Sequence, residues 1–459
     1  MSSPTSPDVV ELTQDLIRLD TSNPPGHERA AIEHLAGVLA DAGIPSSMFA
    51  LDPARPNLIA HVPGRGTAPG LLLHGHVDVV PTAGQTWRHP PFSAAVIDGE
   101  LWGRGALDMK SALAQMAVAF ITAATAESAP AGDLVFAAFS DEEAGSEYGA
   151  RFMIEQHAEL FDDVQYALGE LGGISTHIAG HRFYPIQVSE KQWCVLRLTV
   201  RGRSGHGSVP VRGEAMARLG ELLTRLDGDR LPVHLTAITR QTFAGIADSL
   251  DAQHALPFQT LLDPARADGV LEQGGRAMGL FDAALHNTVT PTMLSGSPRV
   301  DAIPGAVTVD LDGRILPGFA PVDLVNELQE LCGPDVEIEV IETHPPARSD
   351  PDMSLFPTMQ AALRDVDPYA VAVPLLLPGV TDGRFLSQLG IQCYGYTPLR
   401  LPPGFPLGEL IHSANERIPV DALRFGAAVL TRMLQRYGRP LAETAVGPAS
   451  STTQHRAHA

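Results

Sequence analysis

The chain has 459 residues, a formal net charge of −21 and 44% hydrophobic residues, with 43 glycines and 38 prolines. That length exceeds one compact core and predicts two domains, and the composition is that of a globular enzyme rather than a disordered or fibrous chain. The acidic balance excludes nucleic acid as a partner, because phosphates require a basic footprint.

Cys194, Cys332 and Cys393 stand far apart without CxxC spacing, as expected of unpaired thiols in a reducing compartment. The N-terminus lacks the basic and then apolar segments of a secretion signal. No stretch approaches the roughly 18 apolar residues of a membrane span. The expectation is a cytoplasmic protein without a membrane partner.

In chain order, Val9–Leu19 and Ala30–Ala42 carry apolar residues at helical spacing, separated by the turn cluster TSNPPG. The apolar runs NLIAHV and GLLLHGHVDVV predict buried strands, Lys110–Ala124 a helix, and LVFAAFS a further buried strand. Such alternation predicts an α/β sheet with helices on both faces. From about residue 191 the pattern changes to alternating strands, QWCVLRLTV, AVTVDLDGRIL and VEIEVIE, with helices at Glu214–Leu226 and Val322–Leu331. This predicts a smaller α+β domain over 191–343, inserted between 1–190 and 344–438 of the larger one. Segment 241–285 is weakly periodic and is expected as an extra piece of the inserted domain. Residues 439–459 form a small, polar tail, expected to be disordered.

Several imidazoles and carboxylates fall at or just past the ends of apolar runs: His76 in HGHVDVVP, Glu142 and Glu143 in SDEEAG, and Glu170 in YALGELGG. Asp108 in GALDMK and His412 in IHSANERI complete the set. In open α/β sheets such strand ends bind ligands. A carboxylate can bridge two cations through its two oxygens and an imidazole cannot, so a shared ligand must be Asp or Glu. One His and one carboxylate remain for each ion, with a sixth residue free to move a proton. His74 shares a strand face with His76 and is read as a structural or supporting imidazole. For the DEE triplet the plain alternative is a solvated acidic turn, which the preceding buried strand disfavours. Glu155, Glu159, Asp162 and Asp163 compete with Glu170 but fall in a helix or turn. Glu416 is read as a solvated or supporting carboxylate.

These motifs, followed by SGHGSVP, AIPGAVTVDLDGRILPG and GVTDGRF, make the chain resemble the aminoacylase, glutamate carboxypeptidase and succinyl-diaminopimelate desuccinylase family of metallohydrolases over most of residues 10–435. The resemblance implies a zinc-exopeptidase-like catalytic domain, a mixed central sheet flanked by helices, with an inserted lid or dimerisation domain. It implies two Zn2+, with Co2+ or Mn2+ as substitutes. Asp108 would bridge them, His76 and Glu170 would complete one site, and Glu143 and His412 the other. Glu142 would be the general base for attack by a metal-bridging hydroxide, and Asp78 would orient the His76 imidazole. Relatives often carry a cis peptide after the bridging Asp, here Asp108–Met109.

By the same likeness His206 would stabilise the oxyanion, usually from a partner subunit, which implies a homodimer or closure of the smaller domain. Its plain alternative is a turn histidine between glycines. Arg384 and Arg314, with Gly379, would hold a substrate carboxylate; for Arg314 an ion pair with Asp310 or Asp312 is the alternative. Asp301 stands where many relatives have Asn and would repel such a carboxylate unless paired, with Arg299 the candidate. The segment LGIQCYGYTPLRLP is similar to the carboxypeptidase S-like branch. The implied reaction is cleavage of an amide in a dipeptide or N-acyl amino acid with a free α-carboxylate. Two alternatives stand beside it: an aminopeptidase or dipeptidase in which Asp301 receives a substrate amine, and a metal-free binding protein on the same fold.

Overall fold

A computed structural model describes residues 6–440; the expected disordered tail lies, from residue 441 onward, outside the described residues. The larger sheet is mixed and has nine strands. Its order is Ser46–Phe49, Asn57–Val62, Leu134–Phe139, Gly70–His76, Val164–Gly169, Gln392–Gly395, His181–Glu190, Val371–Leu377, with Thr176–Ile178 paired to His181–Glu190. Gly70–His76 runs parallel to both neighbours, so three strand ends open at one edge.

Alternation along these strands divides the core between two faces. Leu71, Leu73 and Phe136 pack with the helices Val9–Arg18, Lys110–Ala124 and Val420–Arg436. Leu72, Val135 and Phe139 face the other way, onto Phe152 and Phe385. The helix Lys110–Ala124 is apolar nearly all round and accordingly buried. No described helix is long and apolar enough to cross a membrane.

The second sheet is antiparallel and four-stranded, in the order Thr288–Ser295, Ala306–Ile315, Gln192–Arg201, Val336–Thr343. Leu196, Leu198, Val309 and Leu311 bury one face beneath Ala215–Gly228 and Pro321–Cys332. Its other face is partly open, as the strict alternation in Gln192–Arg201 requires.

Segment 241–285, expected to accompany the smaller sheet, is helical and packs elsewhere. Phe243, Phe258, Leu261 and Leu285 join Phe183 and Val373 of the larger sheet in one core. Once buried, those aromatic and branched side chains tie the segment to the larger sheet; their spacing was too irregular to show it. The three cysteines are free.

Candidate metal centre

His76 ends the strand Gly70–His76, Glu142 lies three residues past Leu134–Phe139, and Glu170 follows Val164–Gly169. Because these strands are parallel, all three side chains meet at one sheet edge. Asp108 arrives just ahead of the helix Lys110–Ala124, and His412 lies in the turn between Leu407–Leu410 and Arg417–Pro419.

Asp108 stands between two triads. Its Oδ1 lies 3.2 Å from His76 Nε2 and its Oδ2 lies 3.2 Å from His412 Nε2. Glu170 Oε2 is 3.5 Å from His76 Nε2, and Glu143 Oε2 is 3.2 Å from His412 Nε2. In each triad one ligand atom per residue lies within 4.8 Å of the others. The His76 triad is wholly buried, whereas His412 is exposed on the outer one. Glu142 belongs to neither; its Oε1 is 3.5 Å from Arg384 Nη1. The Asp108–Met109 peptide is cis.

The charges at this edge are out of balance. Burial pushes the Glu170 carboxyl up to about 8, against the hydrogen bond and charge of His76. Burial and the charge of Glu170 raise Glu142 well above the usual carboxylate range. Burial also raises Glu143, although His412 bonds to it. Asp108 goes the other way: burial opposes its ionisation, but hydrogen bonds from His412 and His76 hold it low. Hydrogen bonds to Asp108 and Glu143 raise His412 to about 10. Glu143 Oε1 is buried without a hydrogen-bond partner. Four carboxylates around two imidazoles, with an acceptor left over, fit a pair of cations better than protons alone.

Asp78 does more than the sequence suggested. Its carbonyl oxygen lies 3.0 Å from His76 Nδ1 and its carboxylate Oδ1 3.4 Å from the same atom. The carboxylate also accepts from the backbone N–H groups of Glu142 and Glu143, both at 3.1 Å. Glu416 is fully buried, not solvated: it accepts from the N–H groups of Leu107 and Asp108 at 2.7 and 3.2 Å and pairs with Arg104. His74 is buried against Gly169, outside both triads. Asp382, which the sequence reading missed, is buried and accepts from Ser146 Oγ at 2.5 Å. Its only sequence signal is its place beside Arg384.

A cleft of about 1030 Å³ runs from Glu142, Glu143 and His412 to Arg384, Arg314, Gly379 and Trp193, ample for a small peptide. Arg384 is buried, with Nη1 donating to the Thr381 carbonyl at 2.7 Å and Nε unpartnered. Arg314 lines the same cleft while paired with Asp312 at 2.7 Å. Two candidates are not brought there. His206 is exposed on the strand Gly205–His206, with Nδ1 2.8 Å from Ser208 Oγ. Asp301 is exposed and takes both arms of Arg299 at 2.9 and 2.6 Å, so its charge is answered locally.

Behind the cleft, Glu190 accepts from Thr381 N–H at 3.0 Å and Thr381 Oγ1 at 2.9 Å. Burial pushes its carboxyl up to about 7 from 4.5, against the charge of Arg384. The folded carboxyl therefore keeps its proton to higher pH than the unfolded one. Its stabilising contribution is full below about pH 4.5 and is lost as pH rises through about 7. Relative to Glu190→Gln, the native protein is expected to lose on the order of 3 kcal/mol across that interval. Thermal unfolding of both proteins as a function of pH measures it, and a constant gap between them would refute it.

The family model described as peptidase family M20/M25/M40 matches residues 72–436. The chain belongs to that family. It is thus a metallopeptidase or amidohydrolase, of a family whose site typically holds two metals, and each of its paired triads could hold a metal ion. It is similar to a succinyl-diaminopimelate desuccinylase of Methylobacterium sp., 28% identical over 460 residues, covering 95% of this chain and 97% of the relative. A probable carboxypeptidase S-like 2 of Dictyostelium discoideum is 24% identical over 366 residues, 76% of this chain and 68% of that protein. Among solved structures, an M20 family metallo-carboxypeptidase from Sulfolobus solfataricus superposes with a TM-score of 0.65 at 16% identity, covering 94% of this chain and 99% of the other. That likeness matches the mixed sheet with its separate antiparallel sheet.

Proposed function

We propose that this M20 enzyme hydrolyses the amide of a dipeptide or N-acyl amino acid bearing a free α-carboxylate. The observation that carries the reading is the pair of triads sharing Asp108, with Glu142 beside them and outside both. When bound, a pair of divalent cations such as zinc, or cobalt or manganese in its place, acidifies a water and polarises an amide carbonyl. His76 and Glu170 would hold the inner ion and Glu143 and His412 the outer, with Asp108 shared between them. Asp78 fixes His76 and the turn that carries both glutamates. Glu142 takes the proton from the attacking water and returns it to the departing nitrogen. Burial and the charge of Glu170 raise its pKa, and a raised carboxyl is a stronger proton acceptor once ionised.

Arg384 receives the substrate carboxylate, with Gly379 and Arg314 beside it on the cleft wall. The names of the desuccinylase and carboxypeptidase S-like relatives agree with such a substrate. The aminopeptidase alternative is disfavoured, because the Asp301 carboxylate already takes both arms of Arg299. The metal-free alternative is tested by plasma emission on the purified protein, where absence of bound and acquired metal would support it.

Residues 1–190 and 344–438, together with the helices of segment 241–285, act as the metal-binding unit, in the cytoplasm. The rest of 191–343 acts as the lid. His206 acts from that lid, after closure or from the second subunit of a homodimer.

Steady-state kinetics on N-acyl amino acids and dipeptides, each compared with its C-terminal amide, test the reading. Free acids are expected to be hydrolysed and amides to be poor substrates. Arg384→Lys removes the guanidinium fork and is expected to lower kcat/KM for the acids by roughly 10–100-fold, with little change for the amides. Equal rates on acids and amides would overturn the carboxylate assignment.

A further inference from the structure

The loop around Asn23 enters the site from behind and belongs to neither triad. Asn23 is 2% exposed, and its Nδ2 donates to Asp78 Oδ2 at 2.8 Å and to Asp141 Oδ1 at 2.9 Å. A primary amide nitrogen has two hydrogens, and an ionised carboxylate only accepts. The two bonds therefore use the whole donor capacity of that nitrogen and dictate which way the amide faces.

Each carboxylate is a junction. Asp78 accepts from the N–H groups of Glu142 and Glu143 and adjoins His76. Asp141 sits in the left-handed region at φ 70 and accepts from Tyr148 N–H at 3.0 Å. It also pairs with Arg55 Nη2 at 2.8 Å, and Arg55 in turn is held by the buried carboxylate of Glu28. Gly26 lets the loop pass over that guanidinium: at φ +81, a Cβ there would stand 2.4 Å from Arg55 Cζ. The contacts run Glu28, Arg55, Asp141, Asn23, Asp78, and end on the backbone of the two glutamates.

Two buried carboxylates bridged by one amide repel each other once that amide is removed. An asparagine bridges them without adding charge; an aspartate would add a third anion, and an alanine would leave both short of a donor. We infer that Asn23 is a positioning residue for the reaction. It clamps the turn bearing Glu142 and Glu143 to the strand end bearing His76, and so holds the outer triad and the base in register with the inner triad. This rests on the two-metal reading proposed above.

The test is titration of the metal-free full-length protein with Co2+ alone, followed by visible absorption, for the native protein and Asn23→Ala, with kcat, KM and Tm measured alongside. In Asn23→Ala the first equivalent is expected to bind as in the native protein. The second is expected to bind about 10–100-fold more weakly, with altered visible bands, and kcat is expected to fall while KM changes little. Asn23→Ser, which keeps a donor in a shorter side chain, supplies the same readings if the alanine variant does not fold. A lowered Tm with both equivalents, the bands and kcat unchanged would make Asn23 merely structural and overturn the inference. Fewer than two equivalents bound by the native protein would overturn the two-metal reading itself, and the inference with it.

Discussion

Glu142→Gln is expected to keep two equivalents of bound metal and to lose ~10²–10⁴-fold in kcat. The carboxylate lies outside both triads, so an isosteric amide leaves the ligand set intact. The backbone N–H of residue 142 still donates to Asp78 Oδ1 at 3.1 Å, so the turn keeps its place. What disappears is the carboxylate proposed to carry a proton from water to the leaving nitrogen. Metal analysis beside steady-state kinetics separates the two effects. A variant with normal metal content and a near-native rate would show that another group is the base.

Asp108→Asn is expected to be more damaging, because it strikes both triads at once. Each carboxylate oxygen serves a different imidazole, at 3.2 Å on either side. An amide offers one acceptor and one donor, and the donor end cannot face a cation. Bound metal is expected to fall below two equivalents, with activity beneath that of Glu142→Gln. Asp108 is held ionised against both imidazoles in the metal-free fold, so the metal-free variant is expected to be less stable at neutral pH than the metal-free native protein. Plasma emission, activity and Tm in chelator check the three statements; full metal content in the variant would exclude Asp108 as a bridge.

Much of this arrangement is legible in the sequence because parallel strands turn position along the chain into position in space. His76, Glu142 and Glu170 follow apolar runs, and parallel pairing alone brings their ends together. The helix Lys110–Ala124 matches its expected bounds, since an apolar stretch of good helix formers leaves little alternative. What escaped notice depends on long-range pairing of polar side chains. Asn23 sits in a turn cluster that reads as punctuation, and only the fold brings its amide to Asp78 and Asp141. Arg55 and Glu28 look like surface charges until both are found enclosed. Segment 241–285 misled because its buried residues, Phe243, Phe258 and Leu261, come from several short helices rather than one periodic face. The motif holding His206 was easy to see, but nothing in a linear pattern says how far it stands from the cleft.

The unequal enclosure of the two triads bears on how the centre would fill and empty. Every member of the His76 group is shut away, whereas His412 opens to the medium. The outer occupant would therefore arrive last and depart first. A brief exposure to chelator would leave a half-loaded protein rather than an empty one.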